Sequence, residues 1–460
     1  MQSAFPPLML TPRDSQEMVD LLVKLVKNAC VNPPGGEIRS VETISEALDG
    51  LGLQILVAEP KPGRANLLVT VKGSDPSHPR LIFGPSHLDV VPVEDTHKWT
   101  HPPFDGVISD GFVWGRGTSD MLGLVVAQVI AFKKLVTEGF QPKGDLSLFL
   151  VSDEEAGGKD GAQFMVDHYQ NELLGDPATP TYSVSEGGGF FLLPNVWYMK
   201  MGEKQPLGKK LTFKGSSWHG SIPIGGNPIV KASKAVLKIQ QFAQTKLPLD
   251  LTYISPLADQ LSVVDDDFKL LTQKETFEEG MKRLEATYPV LTPLLTAISG
   301  MTWSVNQFKG GETFNVVPST ATVGVDIRVL PHQTDEEVRW HLNKALGDLA
   351  QDCAIEPLEG FESPPLPVVN VLENCFVRCV ETLVQERYPD VVRLKGINPG
   401  ASDARIMAQI GIQTYGVGLH DPSIPFKEYG PAHGTDEKVA LSTLDNNLWF
   451  MYNLAKRFLS

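Results

Sequence analysis

The chain has 460 residues, too many for one ordinary hydrophobic core, so two or three domains are expected. Its formal net charge of −15 argues against nucleic acid or an anionic membrane as a partner. No stretch approaches the ~20 apolar residues of a membrane-spanning helix, and the N-terminus lacks the pattern of a signal peptide. The four cysteines are scattered, as is typical of a reducing compartment, so we expect a cytoplasmic protein.

The first 204 residues alternate helical and strand patterns. Apolar residues at helical spacing predict helices, and apolar runs bounded by turn residues predict strands. The predicted helices cover residues 15–31, 40–52, 121–139 and 161–170, and the predicted strands cover residues 65–73, 80–91, 144–158 and 181–189. This alternation predicts an α/β fold with a mainly parallel sheet.

Beyond residue 205 the pattern changes. The segment contains an alternating strand at 208–217, an amphipathic helix at 227–244, an acidic helix-prone stretch at 246–300, two strands within 312–331 and a helix at 334–352. These elements predict a small α+β domain, after which the α/β pattern returns past the proline-rich stretch 361–369. The predicted organisation is therefore an α/β domain formed by residues 1–204 and 363–460, with residues 205–362 inserted.

Acids and histidines stand where several predicted strands end. They are His87 and Asp89 in "HLD", Asp120 in "GRGTSDMLG", Glu154 and Glu155 in "SDEE", Glu186 in "SEGGG", and His433 in "GPAHGTDE". Functional groups of parallel α/β sheets gather at the carboxyl ends of the strands. A ligand set of His, Asp and Glu without Cys is typical of a hydrolytic Zn²⁺ or Mn²⁺ site.

Each of these residues also has a plain structural interpretation. His87 fits a core histidine, Asp120 a helix N-cap, Glu154 and Glu155 a solvated turn, Glu186 a turn residue and His433 a surface residue. Together they would be unpaired charges converging on one edge of a sheet, which is costly. The metal site is therefore the better interpretation. His87 and Asp89, two residues apart, are expected to emerge from the same face of their strand.

The order of the motifs resembles a known family. The segments "SHLDVVP", "HPPFDGVISDGFVWGRGTSDMLG", "SDEEAGG" and "SEGGG", followed by "GSSWHGSIPIGGNP", "FNVVPSTATVGVDIRVLP" and "GASDARIMAQIGI", are similar to the M20 family of co-catalytic metallopeptidases and amidohydrolases. The resemblance covers most of the chain. It implies that the inserted domain is a lid and dimerisation domain, and that the active unit is a homodimer.

The resemblance also implies a ligand set. His87 and Glu186 would hold one divalent ion, Glu155 and His433 the other, and Asp120 would bridge the two. The ions would be Zn²⁺, with Co²⁺ or Mn²⁺ as alternatives. Glu154 would be the general base, and the Asp89 carboxylate would orient the His87 ring.

Further roles follow from the same resemblance. His219 would be a lid histidine that reaches across the dimer to stabilise the oxyanion. Asn315 and Arg328 would contact substrate, and Gly400 and Ser402 would bind a substrate carboxylate. The chain departs from the family at Leu122, where a lysine is usual, and at Ala401, where a threonine is usual.

The expected activity is hydrolysis of an amide bond next to a free carboxylate. The products would be an amino acid and the acyl or peptidyl group to which it was joined. Glu186, in place of aspartate, favours the deacylase and carboxypeptidase branches of the family. A dipeptidase of the same family is the alternative, and a non-catalytic binding relative is a third possibility. Intact Glu154 argues against the latter.

Overall fold

The computed structural model describes residues 10–460 except 176–177, 223–224, 363–368, 426–427 and 429–431. The predicted proline-rich boundary at 361–369 lies mostly outside the described residues. The strands are β1 (Ile55–Lys61), β2 (Arg64–Val71), β3 (Arg80–His87), β4 (Val107–Ser109), β5 (Phe112–Trp114), β6 (Leu146–Val151), β7 (Thr181–Ser185), β8 (Phe191–Leu193), β9 (Val196–Glu203), β10 (Gln205–Lys214), β11 (Trp218–His219), β12 (Thr302–Gly310), β13 (Val316–Val317), β14 (Thr320–Val329), β15 (Cys353–Glu362), β16 (Val392–Asn398), β17 (Gln413–Gly416) and β18 (Lys438–Ala440).

The described residues also form α-helices. They are α1 (Pro12–Asn28), α2 (Ile38–Ala47), α3 (Gly123–Thr137), α4 (Phe164–Leu174), α5 (Pro228–Thr245), α6 (Ile254–Leu261), α7 (Phe277–Thr287), α8 (Thr292–Ile298), α9 (Asp335–Leu346), α10 (Cys375–Arg387), α11 (Ala404–Met407) and α12 (Leu441–Phe458). No helix in the described part of the chain combines the length and apolarity needed to cross a bilayer.

The described residues divide into two compact units. The first lies within Met1–Met201, Asn370–Gly396 and Ser402–Ser460, and the second within Gly202–Val369 and Ile397–Ala401. The lid and dimerisation role expected for residues 205–362 stays a prediction.

The large sheet of the first unit runs in the order β1-β2-β6-β3-β7-β17-β9-β16. Its centre, β6-β3-β7-β17, is parallel, while β1 and β2 extend it with antiparallel pairs. The mixed α/β fold with a mainly parallel sheet is therefore confirmed. Parallel strands place their carboxyl ends at one edge, and that edge carries the site described below.

Apolar side chains cover both faces of this sheet. Along β3, Leu81 and Phe83 pack into the cluster that contains α1, α3, α10 and α12, whereas Ile82 joins α4 and α11 on the opposite face. Near-continuous apolar strands are expected when helices cover both faces of a sheet. The result is a three-layer arrangement with the sheet at its centre.

The second unit is built on a smaller sheet in the order β12-β14-β10-β15, with α5 and α9 packed against one face. β14 pairs antiparallel with both β10 and β12. The helix-prone stretch 246–300 forms α6, α7 and α8, as predicted. The strands β12 and β15 had no counterpart in the sequence analysis, and they form the two edges of this sheet among the described residues.

Some predicted boundaries were wrong. Helix α1 begins at Pro12 because Thr11 and Asp14 form a capping box. The strand predicted at 80–91 ends at His87, because the backbone then leaves the sheet and Val90 pairs with Cys30 and Asn32. Asp89 therefore lies beyond the strand, and strand alternation does not set its direction.

Candidate metal centre

The carboxyl ends of three neighbouring strands supply the centre. His87 ends β3, opposite Val151 at the end of the parallel strand β6. Glu154 and Glu155 follow β6, and Glu186 follows β7. Two loops complete the group: Asp120 comes just before α3, and His433 lies in the loop before β18. All of these residues belong to the first unit.

Asp120 lies between the two histidines. Its Oδ1 is 3.2 Å from Nε2 of His87, and its Oδ2 is 3.3 Å from Nε2 of His433. One carboxylate thus faces two imidazoles, one with each oxygen. A bridging ligand between two metal ions needs this arrangement.

Each histidine has a second carboxylate beside it. Glu186 Oε2 is 3.9 Å from Nε2 of His87, and Glu155 Oε2 is 3.1 Å from Nε2 of His433. Ligand atoms of His87, Asp120 and Glu155 lie within 4.8 Å of one another, and so do those of His87, Glu154 and Glu186. The structure therefore brings together all five predicted ligands and the predicted base.

The charges in this cluster are unbalanced. Burial and repulsion from Asp120 raise the pKa of Glu186 to about 8. Burial and repulsion from Glu186 also raise the pKa of Glu154 well above its usual range. Hydrogen bonds to Asp120 and Glu155 raise the pKa of His433 to about 10. Four ionised carboxylates would carry more negative charge than two imidazoles can balance, so the groups hold protons instead, and divalent cations would take the place of those protons.

The donor types agree with this electrostatic argument. Imidazole nitrogen and carboxylate oxygen are the ligands that Zn²⁺ and Mn²⁺ take in hydrolytic sites. The residues present therefore fit two divalent ions, His87 and Glu186 on one side of Asp120 and Glu155 and His433 on the other.

The role predicted for the Asp89 carboxylate needs a correction. The partner of His87 Nδ1 is the backbone carbonyl of Asp89, at 2.9 Å, while the nearest Asp89 carboxylate oxygen is 3.6 Å away. The carboxylate instead accepts hydrogen bonds from the backbone N–H groups of Glu154 and Glu155, at 3.2 and 3.1 Å. Because the chain has left the strand, the carbonyl of Asp89 turns toward the ring and its carboxylate turns toward the turn that carries Glu154 and Glu155.

A buried polar network behind this turn was missed by the sequence analysis. Arg64 donates to Glu37 at 2.7 Å and to Asn32 at 3.1 Å, and it also donates to Asp153. Asn32 in turn donates to the Asp89 carboxylate at 2.8 Å. These hydrogen bonds hold Asp153, the residue that precedes Glu154. The available signal was a lone arginine at the start of the apolar strand "RANLLVTV".

In the second unit, the short strands β11 and β13 bring two predicted residues together. His219 pairs with Val316, and Gly220 N–H donates to the Asn315 carbonyl at 2.7 Å. The backbone N–H of Ser221 donates to His219 Nδ1 at 3.2 Å. Since an amide N–H can only donate, Nδ1 is the acceptor, and the proton of the neutral ring lies on Nε2.

Two of the remaining predicted residues, Arg328 and Ser402, have partners within the protein. Arg328 on β14 forms a two-pronged ion pair with Asp326, at 2.7 and 3.1 Å. Ser402 is buried in the first unit, and its hydroxyl is 2.8 Å from Lys200 Nζ. Gly400 belongs to the second unit and is exposed. Their substrate-binding roles stay predictions.

The sheet edge and its cluster of histidines and carboxylates are those of a metal-dependent hydrolase. The chain belongs to the peptidase family M20/M25/M40, whose model matches residues 85–457. The resemblance seen in the sequence and the enzyme class it implied are therefore confirmed.

Two relatives in sequence and one solved structure in fold are similar to this chain. The chain is 27% identical to the probable carboxypeptidase S-like 2 of Dictyostelium discoideum, over 85% of this chain and 74% of that protein. It is 28% identical to the N-fatty-acyl-amino acid synthase/hydrolase PM20D1 of Homo sapiens, over 84% of this chain and 76% of that protein. The fold matches the M20 family metallo-carboxypeptidase Sso-CP2 from Sulfolobus solfataricus with a TM-score of 0.71 at 19% identity, covering 96% of this chain and 99% of that one.

Proposed function

We propose that the protein hydrolyses the amide bond of N-acyl amino acids or short peptides next to a free carboxylate, with two divalent ions, Zn²⁺ first among them. The observation that carries the proposal is Asp120, which directs one oxygen to each of two histidines that have their own carboxylate partners. Bound there, the two ions would supply Lewis acidity to the substrate carbonyl and to a water molecule.

Glu154 is the residue best placed to move protons. It is next in sequence to the proposed ligand Glu155, and the Asp89 carboxylate holds both of their backbone N–H groups. A carboxylate at this place can accept a proton from water and then pass it to the leaving amine. Glu154 is therefore proposed as general base and general acid.

His219 is proposed as a donor to the carbonyl oxygen. Its Nε2 carries the proton, because Ser221 N–H occupies Nδ1. A donor of this kind stabilises the negative charge that develops on the oxygen, and losing one such donor costs roughly 10²–10³ in kcat.

A Glu154→Gln variant tests the chemistry. It removes the base but keeps the shape of the side chain, so it should bind metal like the parent while kcat falls by about 10²–10⁴. The matched variant Glu155→Gln alters a proposed ligand and should lose metal as well as activity. Activity of Glu154→Gln within tenfold of the parent would contradict the assignment.

We further propose that the acyl group is apolar. Trp218, Phe314 and Val316 are exposed and lie beside His219 and Asn315 in sequence, on or next to the β11–β13 pair. If His219 contacts the substrate carbonyl, these apolar side chains lie close enough to contact the acyl group. The names of the two curated relatives, a carboxypeptidase S-like protein and an N-fatty-acyl-amino acid synthase/hydrolase, support a substrate that ends in an amino acid.

A substrate series tests this preference and the dipeptidase alternative. Hydrolysis of one amino acid carrying an acetyl, octanoyl or oleoyl group would be compared with hydrolysis of dipeptides. The ratio of kcat/KM for oleoyl over acetyl should exceed one and should fall about tenfold or more in Trp218→Ser, since a large apolar contact is lost. Trp340→Ser, another exposed tryptophan of the second unit, is the control and should keep the ratio. Faster hydrolysis of dipeptides than of every N-acyl amino acid would favour the dipeptidase.

The homodimer also remains a proposal. It is supported by the edge strands β12 and β15 of the smaller sheet, because open edges can pair with a second copy. Mixing inactive His219→Ala and Glu154→Ala subunits under conditions of exchange tests whether His219 acts in trans. Heterodimers should then regain one working site, and no recovery despite proven exchange would contradict the dimeric site.

A further inference from the structure

One buried ion pair joins the segments that carry two of the proposed metal ligands. Arg116 Nη1 donates to Glu437 Oε2 at 2.8 Å, and the two side chains are 4% and 0% exposed. Antiparallel pairing of β5 with β18 brings them together, and Gly115 N–H donates to the Glu437 carbonyl at 2.9 Å. A buried pair is costly unless its hydrogen bonds are well satisfied.

The Glu437 carboxylate is satisfied by the segment of Asp120. Its Oε1 accepts from the backbone N–H groups of Ser119 and Asp120, at 2.9 and 3.0 Å, and its Oε2 accepts from Gly117 N–H at 3.0 Å. Hydrogen bonds to an ionised carboxylate are stronger than those between neutral groups. They fix the peptide from which the Asp120 side chain extends.

Gly117 makes this approach possible. Its φ is +86°, and a Cβ atom at this position would be 2.5 Å from Val90 Cγ1. Only glycine allows the backbone to turn its N–H toward Glu437 in this space.

The arginine of the pair reaches the other ligand. Arg116 Nη2 donates to the backbone carbonyl of His433 at 3.2 Å. His433 has a φ of +67°, which is unusual for a residue other than glycine and needs support from its surroundings. The same ion pair therefore fixes the backbone of Asp120 on one side and that of His433 on the other.

We propose that Arg116 and Glu437 are positioning residues that set the distance between Asp120 and His433, so that binding of the ion shared by these two ligands depends on the pair. Neither side chain has to touch the ion or the substrate. The inference rests on the proposed metal site. Outer-shell partners of metal ligands are commonly worth 10–100-fold in metal affinity.

The test is a Zn²⁺ titration of metal-free protein in competition with a chromogenic chelator, without substrate. The parent should bind two ions. Glu437→Gln keeps the side-chain shape but replaces one acceptor oxygen by an NH₂ group, and the dissociation constant of one ion should rise about 10–100-fold. Circular dichroism of the metal-free variant would verify that it is folded. If Glu437→Gln does not fold, Arg116→Lys takes its place. Lysine keeps the positive charge but cannot contact both Glu437 and His433, so the dissociation constant of one ion should rise by the same factor.

Asp436→Asn is the matched control. Asp436 is the neighbouring carboxylate of the same loop, but its oxygens accept from Thr100 N and Oγ1, at 2.7 and 2.8 Å. It should bind both ions like the parent. The inference is wrong if Glu437→Gln also binds both ions with parental affinity, or if Asp436→Asn weakens binding as much. A parent that binds no Zn²⁺ would overturn the inference together with the proposed function.

Discussion

Replacing Arg64 by methionine should destabilise the first unit by about 3–5 kcal/mol, the range found when one partner of a buried ion pair is removed. The side chain of Arg64 is 9% exposed, and its partners Glu37 and Asp153 are 0% and 7% exposed. Methionine keeps much of the volume of the arginine stem, so the loss comes mainly from two carboxylates left buried without their cation. Because these three side chains are almost fully buried, water screens their charges little, and the loss should be larger than for an exposed ion pair.

Urea denaturation followed by circular dichroism measures the loss as a change in the free energy of unfolding. Lys98→Met is the control in the same unit, since Lys98 and Asp95 form an exposed pair at 2.5 Å and its removal should not shift the midpoint measurably. Asp153→Asn in the Arg64→Met background should recover part of the loss, because one stranded charge is removed. A loss below about 1 kcal/mol for Arg64→Met would contradict a stabilising role of this buried network behind Glu154 and Glu155.

Three further predictions follow from the contacts. Dialysis against a chelator should abolish activity and lower Tm, because each ion stabilises the folded state by about 2.7 kcal/mol at a hundredfold excess over its Kd; an unchanged Tm would contradict a metal site. Asp89→Asn should lower kcat by about 10–100-fold, since its amide cannot accept from Asn32, Glu154 and Glu155 together; parental kcat would exclude this role. Burial lowers the pKa of Lys204 from 10.5 to about 7, so between these pH values the unfolded chain binds more protons than the folded one. The free energy of unfolding of the parent, relative to that of Lys204→Met, should therefore rise as the pH increases from 7 to 10.5. A difference between the two proteins that does not change with pH would refute this prediction.

The sequence was most informative where one local pattern carried the information. The helices of the stretch 246–300 and the parallel strands β3, β6 and β7 follow from apolar periodicity, and the structure confirms them. The edge strand β12 was missed because most of its residues are exposed, which weakens the alternation of apolar and polar residues. The edge strand β15 was missed because Glu356, Pro357 and Glu359 interrupt its apolar pattern.

The site shows the same division. The predicted ligands stand in short motifs at strand ends, so their convergence could be expected from the order of the elements. The buried ion pairs behind these ligands could not be predicted, because their partners are far apart in sequence. Arg64 and Asp153 are 89 positions apart, and Arg116 and Glu437 are 321 positions apart. A single charged residue gives no local sign of a partner at that distance. The cytoplasmic location and the roles of Arg328, Gly400 and Ser402 stay predictions.

Asp120 is proposed to bridge two ions. X-ray diffraction at the zinc absorption edge, from crystals grown with Zn²⁺, tests it most directly. Two anomalous peaks are expected in each chain, both in contact with the Asp120 carboxylate, one beside His87 and Glu186 and the other beside Glu155 and His433. A single peak, or peaks that leave Asp120 without a bound ion, would contradict it.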